Sequence, residues 1–192
     1  MDYIYIEPKN LSNEICDEII EKFNSGEKNQ IKKEGVILNE FKIQMHSEKW
    51  KNIDEILFQH INDKIYYYLR SFIFTNKYFQ KIIETDIKDT GFKIEHYKKN
   101  EGIFEYHLES LHVDENNYPY IRGNQILKYI WYLNDVDEGG ETEICGNFNI
   151  KPEVGKLVMF PATWTYPNKE IVPESNDKYI ITGFIQIFDK KP

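Results

Sequence analysis

The sequence predicts an α+β protein that is mainly β, in which N-terminal helices back a β-sandwich or barrel. Helical periodicity is confined to roughly the first 70 residues. From about residue 90, short β-branched and aromatic runs alternate with turn residues, as expected for strands. Aromatic residues make up 15% of the chain, which suits a β-rich interior. Helices followed by many short strands therefore favour a helix-backed sandwich or barrel.

Two helices are predicted in the N-terminal half. The first spans residues 12–25, with Ser12 as the N-cap, Gly26 as the stop signal and one apolar face. The second runs from about residue 47 to residue 70, where apolar positions keep a helical interval over several turns. Both are predicted to pack against the β-rich half. The polar segment 26–40 is predicted to be a solvated loop near a binding site.

The C-terminal half contains the predicted strands, which are separated by Gly- and Asn-containing turns. They are residues 92–97, 103–109, 126–134, 141–145, 148–150, 156–160 and 178–188. The run from Ile126 to Leu133 is apolar on both faces apart from Lys128, which is typical of a central strand.

Length and charge limit the classes of function. A chain of 192 residues is long enough for one good hydrophobic core, which predicts a single domain over residues 1–192. Within it we expect a helical support region, residues 1–90, and a β core, residues 91–190. The net charge of −8 argues against a broad polyanion-binding surface, so no nucleic-acid partner is expected.

The termini and cysteines indicate the compartment. The N-terminal residues do not form a secretory signal, and the most apolar run is too short to span a bilayer. Cys16 and Cys145 lie far apart in sequence, which suits two reduced thiols better than a disulfide framework. We therefore expect a cytoplasmic protein without a membrane partner; the sequence leaves its oligomeric state open.

The stretch EYHLESLHVDE at residues 105–115 contains two His-X-acid pairs, His107 with Glu109 and His112 with Asp114. Residues two apart on a strand project from the same face, so each pair can direct an imidazole and a carboxylate to one metal ion. A third ligand from a distant strand would complete the 2-His-1-carboxylate triad that holds Fe(II). Because the two histidines are five residues apart, at most one pair serves a given site.

Three further stretches carry a family resemblance. They are WYLNDVDEGGETEI at 131–144, IKPEVGKLVMFPATWTYP at 150–167 and NDKYIITGF at 176–184. Together they resemble the 2-oxoglutarate/Fe(II) dioxygenases of the prolyl 4-hydroxylase-like type, over roughly residues 90–188. The resemblance implies a double-stranded β-helix, a jelly-roll core with packing helices from the N-terminal half.

The resemblance also implies which His-X-acid pair binds the metal. In the family, a tyrosine-containing strand and then a glycine precede the first ligand pair, and Tyr97 and Gly102 match them. That register assigns His107 and Glu109 to the metal. The second pair, at 112 and 114, then falls in a connection and is the alternative metal pair.

The same comparison assigns the cosubstrate site. Lys178 matches the basic residue that binds the distal carboxylate of 2-oxoglutarate, and Tyr97 and Thr142 would donate hydroxyls to the same molecule. A cation at the far end of an apolar cavity fixes a dicarboxylate by a charge-assisted hydrogen bond.

The third ligand position departs from the family. The family's histidine stands ten residues before the basic residue, where this chain has Asn168, and a nearby family glycine is replaced by Glu170. A carboxamide oxygen binds a metal far more weakly than imidazole binds Fe(II). Three interpretations stay open: a naturally degenerate oxygenase, a site completed by Asn168, Glu170 or water, and an engineered substitution in an ordinary enzyme.

The resemblance implies an oxygenase that hydroxylates a C–H bond of a protein side chain or a small molecule. Its cofactors would be Fe(II) and 2-oxoglutarate, with ascorbate as a possible reductant. The alternative is a degenerate, non-catalytic jelly-roll module that binds or regulates a partner and has lost iron, for which Asn168 is the motivation.

Overall fold

Two main antiparallel sheets of unequal size, a two-stranded ribbon and two α-helices form the regular structure in the described part of the chain. The computed structural model describes residues 3–26, 28–33, 36–43, 48–73, 86–101, 106, 111–113, 116, 118–121 and 124–188. The strands, in chain order, are β1 (Tyr5–Glu7), β2 (Asn29–Lys33), β3 (Val36–Lys42), β4 (Asp86–Asp89), β5 (Lys93–Tyr97), β6 (Leu111–Val113), β7 (Pro119–Ile121), β8 (Gln125–Tyr132), β9 (Thr142–Ile144), β10 (Phe148–Ile150), β11 (Leu157–Pro161), β12 (Asn168–Glu170) and β13 (Lys178–Phe188).

The strand order is that of a jelly roll. The larger sheet runs β1-β11-β8-β13-β5-β3-β2, with β4 paired to the far end of β13. The smaller sheet runs β10-β9-β12, and β6 pairs with β7. The predicted mainly β fold, a double-stranded β-helix with packing helices, is confirmed.

Both predicted helices are present. Helix α1 (Asn13–Ser25) begins after Ser12, whose hydroxyl accepts a hydrogen bond from the backbone N–H of Ile15 at 3.4 Å. Helix α2 (Lys51–Tyr68) begins a few residues later than predicted and continues as a π-helical turn, Leu69–Ile73. Neither helix is long and apolar enough to cross a membrane.

The larger sheet is buried on both faces. Its outer face packs on the helices, and Tyr129 and Trp131 of β8 belong to that core together with Cys16 and Leu57 from the helices. Its inner face packs on the smaller sheet. The inner cluster comprises Leu38, Tyr97, Ile130, Tyr132, Ile144, Ile150, Val158, Phe160 and Ile180. Strand β8 is therefore the central strand that its sequence predicts.

The prediction of a solvated loop over residues 26–40 is wrong. Strands β2 and β3 form a hairpin there, and β3 pairs with β5 to extend the larger sheet. Edge strands carry lysines and other polar residues, which discourage pairing with other molecules, so an edge hairpin can have the composition of a loop. Strands β1 to β4 all come from residues 1–90, so that region supplies strands as well as helices.

Candidate active site

Several charged and polar side chains project into the otherwise apolar interior between the two sheets. They are Lys128, Tyr132, Thr142, Asn168, Glu170 and Lys178, all of them buried. Strand alternation places them there: Lys178 lies on the face of β13 that carries Ile180, whereas Ile181 packs towards the helices. In the smaller sheet, Glu170 pairs in register with Thr142.

Lys178 is a fully buried ammonium with several partners. Its Nζ donates to the backbone oxygen of Gly140 at 2.6 Å and forms an ion pair with Glu170. It also lies 5.6 Å from the ring centroid of Tyr97 and 5.5 Å from that of Tyr132. These contacts compensate the ammonium for its lost hydration, without which burying it would be very costly.

The turn before β9 orients one of the acceptors of Lys178, the backbone carbonyl of Gly140. Gly139 and Gly140 have φ angles of 68° and 75°, in the left-handed region that favours glycine. The Gly140 N–H donates to the backbone oxygen of Val172 at 3.0 Å, which ties the turn to the segment after β12. The turn thus directs the carbonyl of Gly140 towards Lys178.

A chain of hydroxyls leads to the Glu170 carboxylate. The Tyr132 hydroxyl donates to Thr142 Oγ1 at 2.6 Å, and Thr142 Oγ1 donates to Glu170 Oε2 at 2.8 Å. Burial and the negative charge of Glu170 raise the pKa of Tyr132 well above its ordinary value. Tyr132 therefore keeps its proton at neutral pH, and the direction of this hydrogen-bond chain is fixed.

Asn168 has a cationic neighbour. Lys128 Nζ donates to Asn168 Oδ1 at 3.0 Å, and Asn168 Nδ2 donates to the backbone oxygen of Tyr166 at 3.4 Å. Asn168 itself is 0% exposed, so the amide is held inside by partners on both of its polar atoms. The oxygen that would serve as a metal ligand already accepts a hydrogen bond from an ammonium.

A second charged group lies on β5. Tyr97 donates its hydroxyl to Glu95 Oε2 at 2.5 Å, and Lys93 forms an ion pair with the same carboxylate. Burial opposes ionisation of Glu95, but the Lys93 ammonium and the Tyr97 hydroxyl outweigh it and lower the pKa of the carboxyl. The Tyr97 hydroxyl thus points to Glu95, while its ring faces Lys178.

The structure brings together several of the residues predicted from the sequence. Lys178 and Thr142 meet at the Glu170 carboxylate, and Asn168 lies two residues before Glu170 on the same strand. His107, Glu109 and Asp114 lie outside the described residues, and His112 belongs to β6, for which only the backbone is described. Within the described ranges, no three His, Cys, Asp or Glu side chains form a group able to hold a metal ion.

Sequence reasoning missed two participants. The resemblance marks Glu170 only as a replaced glycine and a candidate metal ligand, whereas the structure shows it as the partner of Lys178. In the sequence, Lys128 only interrupts an apolar strand, and no motif assigns it a role. A lysine inside a central strand requires a buried polar partner, and that requirement was the available signal.

Comparison with known proteins agrees with this architecture. Residues 92–186 match the sequence profile of the 2OG-Fe(II) oxygenase superfamily. Among curated proteins, none matches the sequence significantly. Residues 92–186 therefore form a 2OG-Fe(II) oxygenase superfamily domain, and the fold is of the prolyl 4-hydroxylase-like type.

Solved structures share this fold over nearly the whole chain. The viral collagen prolyl hydroxylase of Paramecium bursaria Chlorella virus-1, in its 2OG complex, has a TM-score of 0.68 at 16% identity, covering 97% of each chain. A Pseudomonas putida prolyl-4-hydroxylase has a TM-score of 0.68 at 14% identity, covering 98% of this chain and 95% of that one. A Trichoplax adhaerens prolyl hydroxylase, in complex with a hypoxia inducible factor peptide fragment, has a TM-score of 0.67 at 16% identity, covering 97% and 84%.

Proposed function

We propose that the chain is an Fe(II)- and 2-oxoglutarate-dependent oxygenase that hydroxylates a C–H bond of a protein side chain or a small molecule. One observation carries the proposal: inside the jelly roll, the Lys178 ammonium and the Thr142 hydroxyl converge on a single buried carboxylate. The distal carboxylate of the cosubstrate would need the same two donors, an ammonium and a hydroxyl. The superfamily match over residues 92–186 and the prolyl hydroxylase fold add support.

The residues take the following roles in this proposal. Lys178 and Thr142 hold the distal carboxylate of 2-oxoglutarate, and Tyr97 borders the same site. His107 and Glu109 are the metal ligands, with Asn168 at the third position. Bound Fe(II) and 2-oxoglutarate would supply the oxidising power, and the chain's residues would orient the substrate and exclude water.

The carboxylate anchor at Lys178 fits its proposed ligand better than the metal position at Asn168 does. The anchor fits a carboxylate, since it already holds that of Glu170. The third metal position fits poorly, because the oxygen of Asn168 accepts a hydrogen bond from Lys128, and an ammonium repels a dication. Loss of an outer-shell partner alone costs about 10–100-fold in metal affinity, so loss of an imidazole ligand should cost at least as much. We therefore expect weak iron binding.

The substrate is proposed only by class. The Trichoplax relative was solved with a peptide fragment, which supports a peptide as one substrate class for this chain. Cytoplasmic location and the absence of a nucleic-acid partner stay predictions from the sequence.

A succinate assay tests the proposal. The purified chain and its Asn168→His variant are incubated aerobically with Fe(II), 2-oxoglutarate and candidate peptides or small molecules, and succinate is measured. We expect the histidine variant to turn over 2-oxoglutarate faster than the native chain, because an imidazole restores a strong ligand. The proposal fails if neither protein forms succinate with any candidate. A His107→Ala variant tests the metal register, and His112→Ala tests the alternative pair.

The second candidate is a non-catalytic jelly-roll module that binds or regulates a partner. The hydrogen bond between Lys128 and Asn168 supports it, because a cation contacts the amide that we propose for the third metal position. This candidate predicts that calorimetry detects no Fe(II) or Mn(II) binding in the presence of 2-oxoglutarate. Tight metal binding that is lost in the His107→Ala variant would reject it.

A further inference from the structure

The carboxylate of Glu170 is placed where a ligand carboxylate would be expected. Glu170 lies on β12 and is 6% exposed. Its Oε2 pairs with Lys178 Nζ and accepts the Thr142 hydroxyl at 2.8 Å. The two donors that a dicarboxylate would use are thus both engaged by a side chain of the protein itself.

We propose that Glu170 is an intramolecular competitor of the cosubstrate, and so the residue that determines whether this interior accepts a dicarboxylate. The inference rests on the proposed function, in which Lys178 is the carboxylate anchor. It goes further because it names a residue of this chain that opposes 2-oxoglutarate binding and must leave the anchor before the cosubstrate can bind.

Among the described residues, the contacts around Lys178 leave little room for a second carboxylate. The lysine side chain is 1% exposed, the backbone oxygen of Gly140 takes one of its three protons, and two aromatic rings border the ammonium. Two carboxylates at one ammonium would repel each other, and this repulsion is strong in a buried site. Exchange between Glu170 and a ligand must therefore be one for one.

Charge compensation leads to the same conclusion. The ion pair cancels the positive charge that would attract a dianion into the interior. If a ligand binds only the conformation in which Glu170 has left the anchor, its apparent Kd is the intrinsic Kd divided by the fraction of molecules in that conformation. If Glu170 holds the anchor in about nine molecules of ten, removal of its carboxylate raises the affinity about tenfold.

A purely structural ion pair makes a different prediction. If Glu170 served only to neutralise Lys178, its removal would lower the stability of the fold, and no carboxylate would bind at the vacated position. The readout that separates the two roles is therefore ligand affinity and not stability.

The experiment titrates 2-oxoglutarate into full-length variants by calorimetry, with and without Mn(II) in place of iron. The variants are Glu170→Gly, which restores the residue type of the family, and Glu170→Gln, which keeps the shape and removes the charge. Glu143→Gln is the matched control, because Glu143 forms an ion pair with Lys169 at 3.1 Å on the neighbouring strand. The double variant Glu170→Gly, Lys178→Met tests whether any gain depends on the anchor.

We expect both Glu170 variants to bind 2-oxoglutarate about tenfold or more tightly than the native chain, the control to match the native chain, and the double variant to lose the gain. If Glu170→Gly does not fold, Glu170→Gln decides the outcome. An unchanged Kd, a gain that survives loss of Lys178, or no binding by a folded Glu170 variant would overturn the inference.

Failure of the inference is distinguishable from failure of the proposed function. Tighter 2-oxoglutarate binding without succinate formation supports Glu170 as a competitor and counts against the oxygenase. Succinate formation by the native chain, with a Kd that Glu170 variants leave unchanged, supports the oxygenase and rejects the competitor.

Discussion

The interior ion pair, which joins the two sheets, can be compared in stability with an outer ion pair that lies within the smaller sheet. Glu170 pairs with Lys178, and their side chains are 6% and 1% exposed. Glu143 pairs with Lys169, and their side chains are 16% and 25% exposed. The substitution of glutamate by glutamine is chemically the same at both positions, so any difference in its cost reports the environment.

The expected costs differ because burial removes screening. Removing one partner of a buried ion pair costs about 3–5 kcal/mol, since the other charge stays inside without compensation. Glutamine at 170 can still accept a hydrogen bond from Lys178, so we expect the lower end, about 3 kcal/mol. The pair at Glu143 is more solvated, and its loss should cost about 0–1 kcal/mol.

Urea unfolding measures both costs. We expect Glu170→Gln to lower the midpoint markedly with an unchanged m-value, and Glu143→Gln to leave it nearly unchanged. If the two substitutions lower the free energy of unfolding by the same amount, the reasoning from burial is refuted.

Three further predictions follow from the packing and titration of particular groups. Gly183→Ala should destabilise the fold by about 2–4 kcal/mol in urea unfolding, because a Cβ there would overlap the Tyr129 phenol. Tyr129→Phe should relieve part of this cost in the double variant, and a double variant whose destabilisation equals the sum of the two single substitutions would contradict this. The pKa of Glu95 is lowered from its ordinary value of 4.5, so the ionised carboxylate stabilises the fold above that pH, and this stabilisation is lost as the pH falls through the lower pKa of the folded state. In unfolding experiments at a series of acidic pH values, Glu95→Gln should therefore lose less stability with falling pH than the native chain, and an unaltered pH dependence would reject this. Burial raises the pKa of Cys16 to about 12, so in the folded protein at neutral pH iodoacetamide should label Cys145 and leave Cys16 unlabelled until urea is added. Mass spectrometry would show the labelled positions, and rapid labelling of Cys16 in the folded protein would contradict the prediction.

Periodicity and local signals determined much of the fold. Ser12 caps the first helix as its sequence position indicates, and the two-faced apolar run at 126–133 is a buried central strand. These features depend on neighbouring residues alone, which is why sequence reasoning reached them. Local sequence patterns do not predict the hairpin β2–β3, because its strands are specified by their pairing and not by a hydrophobic pattern of their own: β3 pairs with β5, and the edge strand β2 pairs with β3.

In the candidate site, too, the sequence predicts one part and only the tertiary structure shows the other. The resemblance carried by the sequence predicts that Lys178 and Thr142 lie close together, and their shared contact with Glu170 agrees with that. That Asn168 stands where the family has a histidine stays a prediction from the sequence. Only the tertiary structure decided which charges neutralise each other: Lys178 meets Glu170, and Lys128, forty residues before Asn168 in the chain, donates to its amide. Pairing across two sheets depends on register and facing direction, and because these are set by long-range packing, no local stretch of sequence encodes them.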